Sequence, residues 1–416
     1  MVPRPYPSLI KVPDSTPGGG IVIRSKSLVS SLVTISLVAF LLAGMLAGCT
    51  SQPKVLKIGA FYPMTGSNAA KGQLNKNGTD LAVKEINAAG GVLGMQIQIV
   101  YEDTKSLATE VPNVVRKLIE QDKVVALLGE VASSNSLAAA PVLMQLKRPA
   151  IAPTSTNVKV TQDPSDLTKV NPYYFRACFV DTVQGASMAN FVFNTLKKTN
   201  AALIYNIAQD YNKALAQVFK ERFTKLGGKI IDEETYPNDT VDFKPLLTKI
   251  KDKNPDVIVT PNTYAESGLI LKQAKELGMD KFIFMAGDST HAPQVIDIAG
   301  EDAVKNLYLT TLYVGDDPDP KAKAFADKYK AEYKADPNSN ACFSYESVLV
   351  LAEAVKKAGK ADPEAIRTAL EGIKDVSVPS GKFTMDAKTH NPLNKPVVVI
   401  KVANKTFTFV EKVTPE

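Results

Sequence analysis

A chain of 416 residues, 45% hydrophobic and 22% charged, has the make-up of a soluble globular protein and length for two or three domains. The formal charge of +6 is weak for that length, and Arg4, Lys11, Arg24 and Lys26 against Asp14 place half of it in residues 1–48; later lysines interleave with acids, as in 321–334, and read as a solvated helix face, not a nucleic-acid patch. There is no Trp and there are only two His, His291 and His390, so the chain is poor in the commonest catalytic base and metal ligand.

The first element is a targeting segment. Arg24-Ser25-Lys26 precedes an apolar run over 28–46, which is borderline against the about 20 residues of a membrane span. A basic n-region, an apolar h-region and small residues at its end make a signal peptide of 1–48. The end, Leu46-Ala47-Gly48-Cys49, resembles the lipobox of bacterial lipoproteins. On that resemblance Cys49 is the lipidation site, and its thiol accepts a diacylglycerol. Each buried CH₂ of the acyl chains contributes about 0.8 kcal/mol to membrane anchoring. The competing reading is an uncleaved anchor with a Cys there by chance. Residues 1–23 are rich in Pro and Gly, unusual for an n-region, and fit a misassigned start codon. Residues 49–54 read as a tether. Cys178 and Cys342 remain; an oxidising compartment permits a disulfide between them, and two separate buried thiols fit as well.

From residue 55 short apolar runs alternate with amphipathic stretches. Strands are expected at 55–61, 96–101, 124–128 and 149–152. Helices are expected at 77–89, stopped by Gly90-Gly91, at 112–121 with Pro112 in its first turn, and at 134–146. A second series follows: helices at 185–198, 211–226, 241–251 and 265–277, and strands at 201–205, 229–236, 257–260 and 282–285. Such alternation implies parallel sheets covered by helices on both faces, and two series imply two lobes. The last third is more helical, at 321–334, 344–358 and 363–371. It ends in strands 397–402 and 406–410 around an Asn404-Lys405 turn.

The stretch Asn77-Gly78-Thr79-Asp80-Leu81-Ala82-Val83-Lys84-Glu85-Ile86-Asn87-Ala88-Ala89-Gly90-Gly91 resembles the type I periplasmic binding proteins, in particular the leucine/isoleucine/valine-binding branch. Gly59-Ala60-Phe61-Tyr62-Pro63-Met64-Thr65-Gly66 and Arg176-Ala177-Cys178-Phe179-Val180-Asp181-Thr182-Val183-Gln184-Gly185 are similar to that family's first strand and first crossing. The resemblance covers about 55–410. It implies an α/β fold of two Rossmann-like lobes with parallel-type sheets, joined by three hinge strands, the ligand lying between the lobes. Carried over, one lobe holds 55–178 and 313–386, and the other 179–312 and 387–416, with hinges near 178–181, 310–313 and 384–388.

Gly129 to Ser136 lies between a strand and a helix, where free backbone N–H groups suit a carboxylate. Simple capping by Ser or Asn explains the same residues. The resemblance places Ser133 at the family's carboxylate-binding serine and leaves Ser134 as a cap or neighbour. It assigns Ser155 and Thr156 to the loop that contributes a carbonyl and a hydroxyl. Tyr211 and Tyr264 match cleft aromatics of the second lobe. Asp288 stands for a Glu that pairs with the ligand's ammonium, with helix capping as its alternative role. Asp181 either pairs with Arg176 or lines the cleft. Lys71 departs from the family, which often has an aromatic there; it opens the side-chain preference to a polar or acidic ligand. A loop disulfide of some members is absent, Thr104 and Ala132 lying in that neighbourhood.

The function implied is an extracytoplasmic, lipid-anchored substrate-binding protein of an ABC transporter. It would take an amino acid of branched-chain type by hinged closure and dock on a permease with two ATP-hydrolysing subunits. Monomer is the family's default state; no metal, cofactor or nucleic acid is implied. The same fold binding an amide, urea or aromatic acid, or acting as a ligand sensor, is the alternative. An enzyme is not expected: no G-x-S-x-G, H-E-x-x-H, G-x-x-x-x-G-K or G-x-G-x-x-G occurs, and Ser133 has His291 alone as a plausible base.

Overall fold

The computed structural model describes residues 54–393, 395 and 397–413; the signal segment, Cys49 and most of the tether lie outside them. The expected alternation is present from residue 55. β1 (Val55–Tyr62), β2 (Gln96–Asp103), β3 (Ala126–Gly129) and β4 (Ala150–Ala152) alternate with helices Ala69–Ala88, Val111–Glu120 and Ser133–Leu146. A small hairpin, β5 (Gln162–Asp163) and β6 (Asp166–Val170), precedes β7 (Tyr174–Arg176). The larger strands form a fully parallel sheet in the order β2-β1-β3-β4-β7. β3 and β4 are buried along their whole length, as strands covered on both faces are.

The chain then crosses to a second sheet. β8 (Asn200–Asn206), β9 (Lys229–Tyr236), β10 (Val257–Thr260), β11 (Ile283–Ala286) and β12 (Leu307–Thr311) alternate with helices Asp210–Lys225, Lys244–Lys253, Tyr264–Glu276 and Gln294–Ala299. The chain returns to the first lobe for helices Pro320–Tyr333, Ser339–Ala358 and Pro363–Glu371 and the ribbon of β13 (Val376–Val378) and β14 (Gly381–Phe383). A third passage brings it back for β15 (Val397–Ala403) and β16 (Thr406–Val413). The sheet order is β16-β15-β12-β11-β10-β8-β9. β15 runs antiparallel to both β12 and β16, so the second sheet is mixed and not wholly parallel. Asn404 and Lys405 both take positive φ, 50° and 62°, which closes the final hairpin as a type I′ turn.

Three helices start well before their sequence suggests; the one expected at 185–198, the first crossing helix, runs Asp181–Asn190 and passes into a π-helical turn at Phe191–Thr195. The helix expected from 77 begins at Ala69, because Gly72 and Gly78 act as close-approach sites and not as breakers. A Cβ at Gly72 would sit 2.1 Å from the Pro63 carbonyl oxygen. The helix expected from 344 begins at Ser339, where the Asn338 side chain accepts from the amides of Asn340 and Ala341 at 3.0 and 3.3 Å. These two long helices pack together, with Asn75 donating to Ser344 Oγ at 2.6 Å. Buried Glu346 pairs with buried Lys395 at 2.8 Å, and Arg176 N donates to the His390 carbonyl at 3.0 Å. The chain past Met385 therefore stays on the first lobe almost to Val397. Cys178 and Cys342 are both buried free thiols, so no disulfide joins them.

Gly78 offers a clean test of the helix pair. Alanine favours a helix by about 1 kcal/mol over glycine. Here its Cβ would sit 2.0 Å from the Ala341 carbonyl oxygen, and overpacking of that kind costs about 1–3 kcal/mol. Gly78→Ala is expected to lower the thermal midpoint. A midpoint at or above the parent's would mean that the helices separate without cost.

Candidate functional site

The wall on the first lobe is built around Glu130, which sequence reading did not single out. Its buried carboxylate accepts from Thr104 Oγ1 at 2.6 Å, from Val131 N and Ala132 N at 2.7 Å, and from Asn135 Nδ2 at 3.1 Å. Its backbone N donates to Tyr174 Oη, and its carbonyl accepts from Ser155 Oγ at 2.8 Å. Burial still pushes the carboxyl upward, against those donors. Glu130 takes the two amides before the helix, and the N-cap, Ala132, has no polar side chain to cap the amides that follow. Ser133 is left beside the cleft, its Oγ accepting from Asn157 N at 3.2 Å. Fully buried Arg176 pins the neighbouring loop. It donates to the carbonyls of Ser155 and Asn157, each at 2.6 Å, and to Asn391 Oδ1 at 2.9 Å.

The facing wall comes from the second lobe. β11 ends at Gly287-Asp288, and Asp288 Oδ1 accepts from Tyr211 Oη at 3.0 Å and Gln184 Nε2 at 2.9 Å. Burial raises its carboxyl, while Gln184, the nearby Lys71 ammonium and Tyr211 hold it down. Gly287 leaves room for the Tyr211 hydroxyl: a Cβ there would lie 2.0 Å from it. Thr263 caps helix Tyr264–Glu276 together with Glu266.

Both walls enclose one cavity of about 30 Å³, smaller than any amino acid. Asn68, Lys71, Val131, Ser133, Thr154 and Asn340 line it from the first lobe, and Gln209, Tyr211, Thr263, Asp288 and Ser289 from the second. Protein groups bridge the lobes directly. Ser134 Oγ accepts from Asp210 N at 3.0 Å, Asn157 Nδ2 donates to the Asp210 carbonyl at 3.1 Å, and Asn338 Nδ2 to that of His291 at 2.7 Å. The Lys71 ammonium donates to Ser289 Oγ. Burial lowers that ammonium to about 8, opposed by Asp288, Glu266 and Glu130.

Of the expected site residues, Ser133, Tyr211 and Asp288 meet at this cavity. Ser155, Thr156 and Tyr264 do not line it. The Ser155 hydroxyl is turned to Glu130 and Ser136, and its carbonyl already accepts from Arg176. Thr154, one position earlier, takes the lining place. Thr156 Oγ1 is buried with no hydrogen-bond partner, close to Asp181. Tyr264 packs on the second lobe's core and its hydroxyl meets the Ala70 backbone of the first lobe, while the capping residue before it, Thr263, lines the cavity. His291 is no base for Ser133. It bonds Thr311 Oγ1 at 2.9 Å, stacks edge-on against Phe407, and burial depresses it to about 3. Among the described residues no cluster of three or more His, Cys, Asp or Glu is placed to hold a metal.

Asp181 sits behind the cavity at the first crossing, its N donating to the Thr156 carbonyl at 2.9 Å. Burial raises its carboxyl from 3.8 to about 7, with Thr156 and Arg176 opposing and Asp288 reinforcing. The folded chain thus holds a proton that the unfolded chain releases near pH 4. This contribution is most favourable below pH 4 and falls as pH rises to about 7, by about 4 kcal/mol at most. Asp181→Asn is expected to melt above the parent at pH 8 and close to it at pH 4. An equal gain at both would contradict the assigned titration.

A family model described as periplasmic binding protein matches residues 55–406. The amino acid binding protein of Pseudomonas aeruginosa is 32% identical over 336 residues, 80% of this chain and 86% of that protein. The structure of leucine binding protein LivK from Thermotoga maritima is 34% identical at a TM-score of 0.80, covering 86% of this chain and 99% of that one. The branched-chain amino acid transporter substrate binding protein LivJ from Streptococcus pneumoniae, in complex with isoleucine, is also 34% identical with a TM-score of 0.80, over 87% and 100% of the two chains.

Proposed function

Because this chain belongs to the periplasmic binding proteins, a family of solute-binding and not catalytic folds, we propose that it captures an α-amino acid between its lobes for an ABC transporter. One observation carries the reading: a helix N-terminus with Ser133 faces Asp288 across a single cavity. The first suits a carboxylate, through free amides and the helix dipole. The second, held by Tyr211 and Gln184, suits an ammonium. A zwitterionic head group bridges the two. Ligand contacts to both lobes exist together only when the lobes are closed, so binding biases the molecule toward closure. The closed form would dock on a permease with two ATP-hydrolysing subunits, as a monomer.

The branched-chain type is what the relatives' names supply; the head-group contacts serve any α-amino acid. The family places the chain outside the cytoplasm. The run at 28–46 and Leu-Ala-Gly-Cys49 support a lipid anchor there.

Titration calorimetry on purified, refolded protein against the twenty amino acids tests the reading. Asp288→Asn removes a charged hydrogen bond worth about 1.5–3 kcal/mol, so affinity should fall about 10- to 150-fold. Unchanged affinity, or binding of an amide or aromatic acid in place of any amino acid, would overturn it. The anchor is tested separately: radiolabelled palmitate fed to expressing cells should label the parent and not Cys49→Ala.

A further inference from the structure

The cavity holds a cation that the head-group scheme does not use. Lys71 stands in the first turn of helix Ala69–Ala88, is 5% exposed, and reaches Ser289 on the opposite lobe. Among the described residues no carboxylate lies within ion-pair distance of its ammonium. Asp288, Glu266 and Glu130 act on it through space only, and each has other donors: Tyr211 and Gln184, Asn206 and Thr263, Thr104 and Asn135.

The lining around Lys71 is also polar. Asn68, Asn340, Gln209 and Thr263 surround it, and Asn68 Oδ1 is buried without a partner. Val131 and Ala132 are the aliphatic lining residues. A branched aliphatic side chain would gain little apolar contact here and would cover polar groups without pairing them.

Charge balance sharpens the point. An amino acid's α-ammonium would take up Asp288, the negative group that Lys71 faces. The lysine would then be a buried charge without compensation, which is costly unless the ligand brings a second anion. Its four-carbon stem lets the ammonium swing from Ser289 to such a group. We infer that the site selects an α-amino acid whose side chain ends in a carboxylate, with Lys71 as the residue that determines this specificity. The amides of Asn68 and Asn340 are the further donors at that end. The inference rests on the amino-acid reading above.

Titration calorimetry separates the two. Glutamate, aspartate, leucine, isoleucine, valine and benzoate are titrated into the parent, Lys71→Met, Lys71→Gln and Lys71→Arg, each first shown by thermal melting to be folded. Glutamate or aspartate is expected to bind the parent at least tenfold more tightly than the aliphatic three. Lys71→Met and Lys71→Gln should remove that preference, and Lys71→Arg should keep it. Tighter binding of leucine, isoleucine or valine by the parent would overturn the inference and leave the amino-acid reading standing. A preference for acids that survives both neutral substitutions would overturn the role of Lys71. Binding of benzoate with no amino acid bound would overturn the amino-acid reading, and the inference with it.

Discussion

The buried carboxylate of Glu130 is the constraint on which the rest of the cleft depends. A charge-bearing group out of water is tolerable only when its oxygens are fully bonded. Glu130 meets that demand by drawing in Thr104, Asn135 and the amides of Val131 and Ala132. Its carbonyl collects Ser155 and its amide reaches Tyr174, so the ends of β3, β4 and β7 and the start of helix Ser133–Leu146 converge on one residue. Ser133 is left facing the cavity because Glu130, and not a serine, organises the turn before the helix.

The opposite wall follows the same logic with fewer parts. Gln184 comes from the first crossing helix, Tyr211 from the next, and Asp288 from the end of β11. Gln184 also donates to Thr310 Oγ1 at 2.9 Å, tying this carboxylate to the strand from which the chain returns to the first lobe. The acid that faces the cavity is thus linked to two of the three passages between lobes. The cavity wall and the crossings between lobes share a set of hydrogen bonds.

Much of this was legible in the sequence. Continuous apolar runs such as those of β3 and β10 have one stable fate, a strand covered on both faces, and they announce it locally. Ser133, Tyr211 and Asp288, singled out by the family resemblance, do come together at one cavity. Helix starts were not legible, because a glycine that breaks a helix and a glycine that lets another backbone approach look alike; Gly72 and Gly78 are told apart by Pro63 and Ala341. At a strand-to-helix junction each successive side chain takes a new direction, so Thr263 lines the cavity while Tyr264 beside it packs on the second lobe and reaches Ala70 of the first. Asn68, Glu130 and Asn340 come from segments far apart in the chain, and local pattern cannot gather them.

The two buried cysteines give the first lobe an internal clock. Burial pushes the Cys178 thiol up to about 12 and raises that of Cys342 as well, so neither forms an appreciable thiolate while the lobe is intact. A thiol of that kind reacts only from states in which its surroundings have opened. Outside the cytoplasm, where oxidants are present, the interval between export and burial of these two side chains is the time in which wrong cross-links form. Afterwards, their modification requires the lobe to open, and its rate follows how often and for how long that happens. Folding speed and native-state opening therefore decide when oxidants can reach these thiols at all.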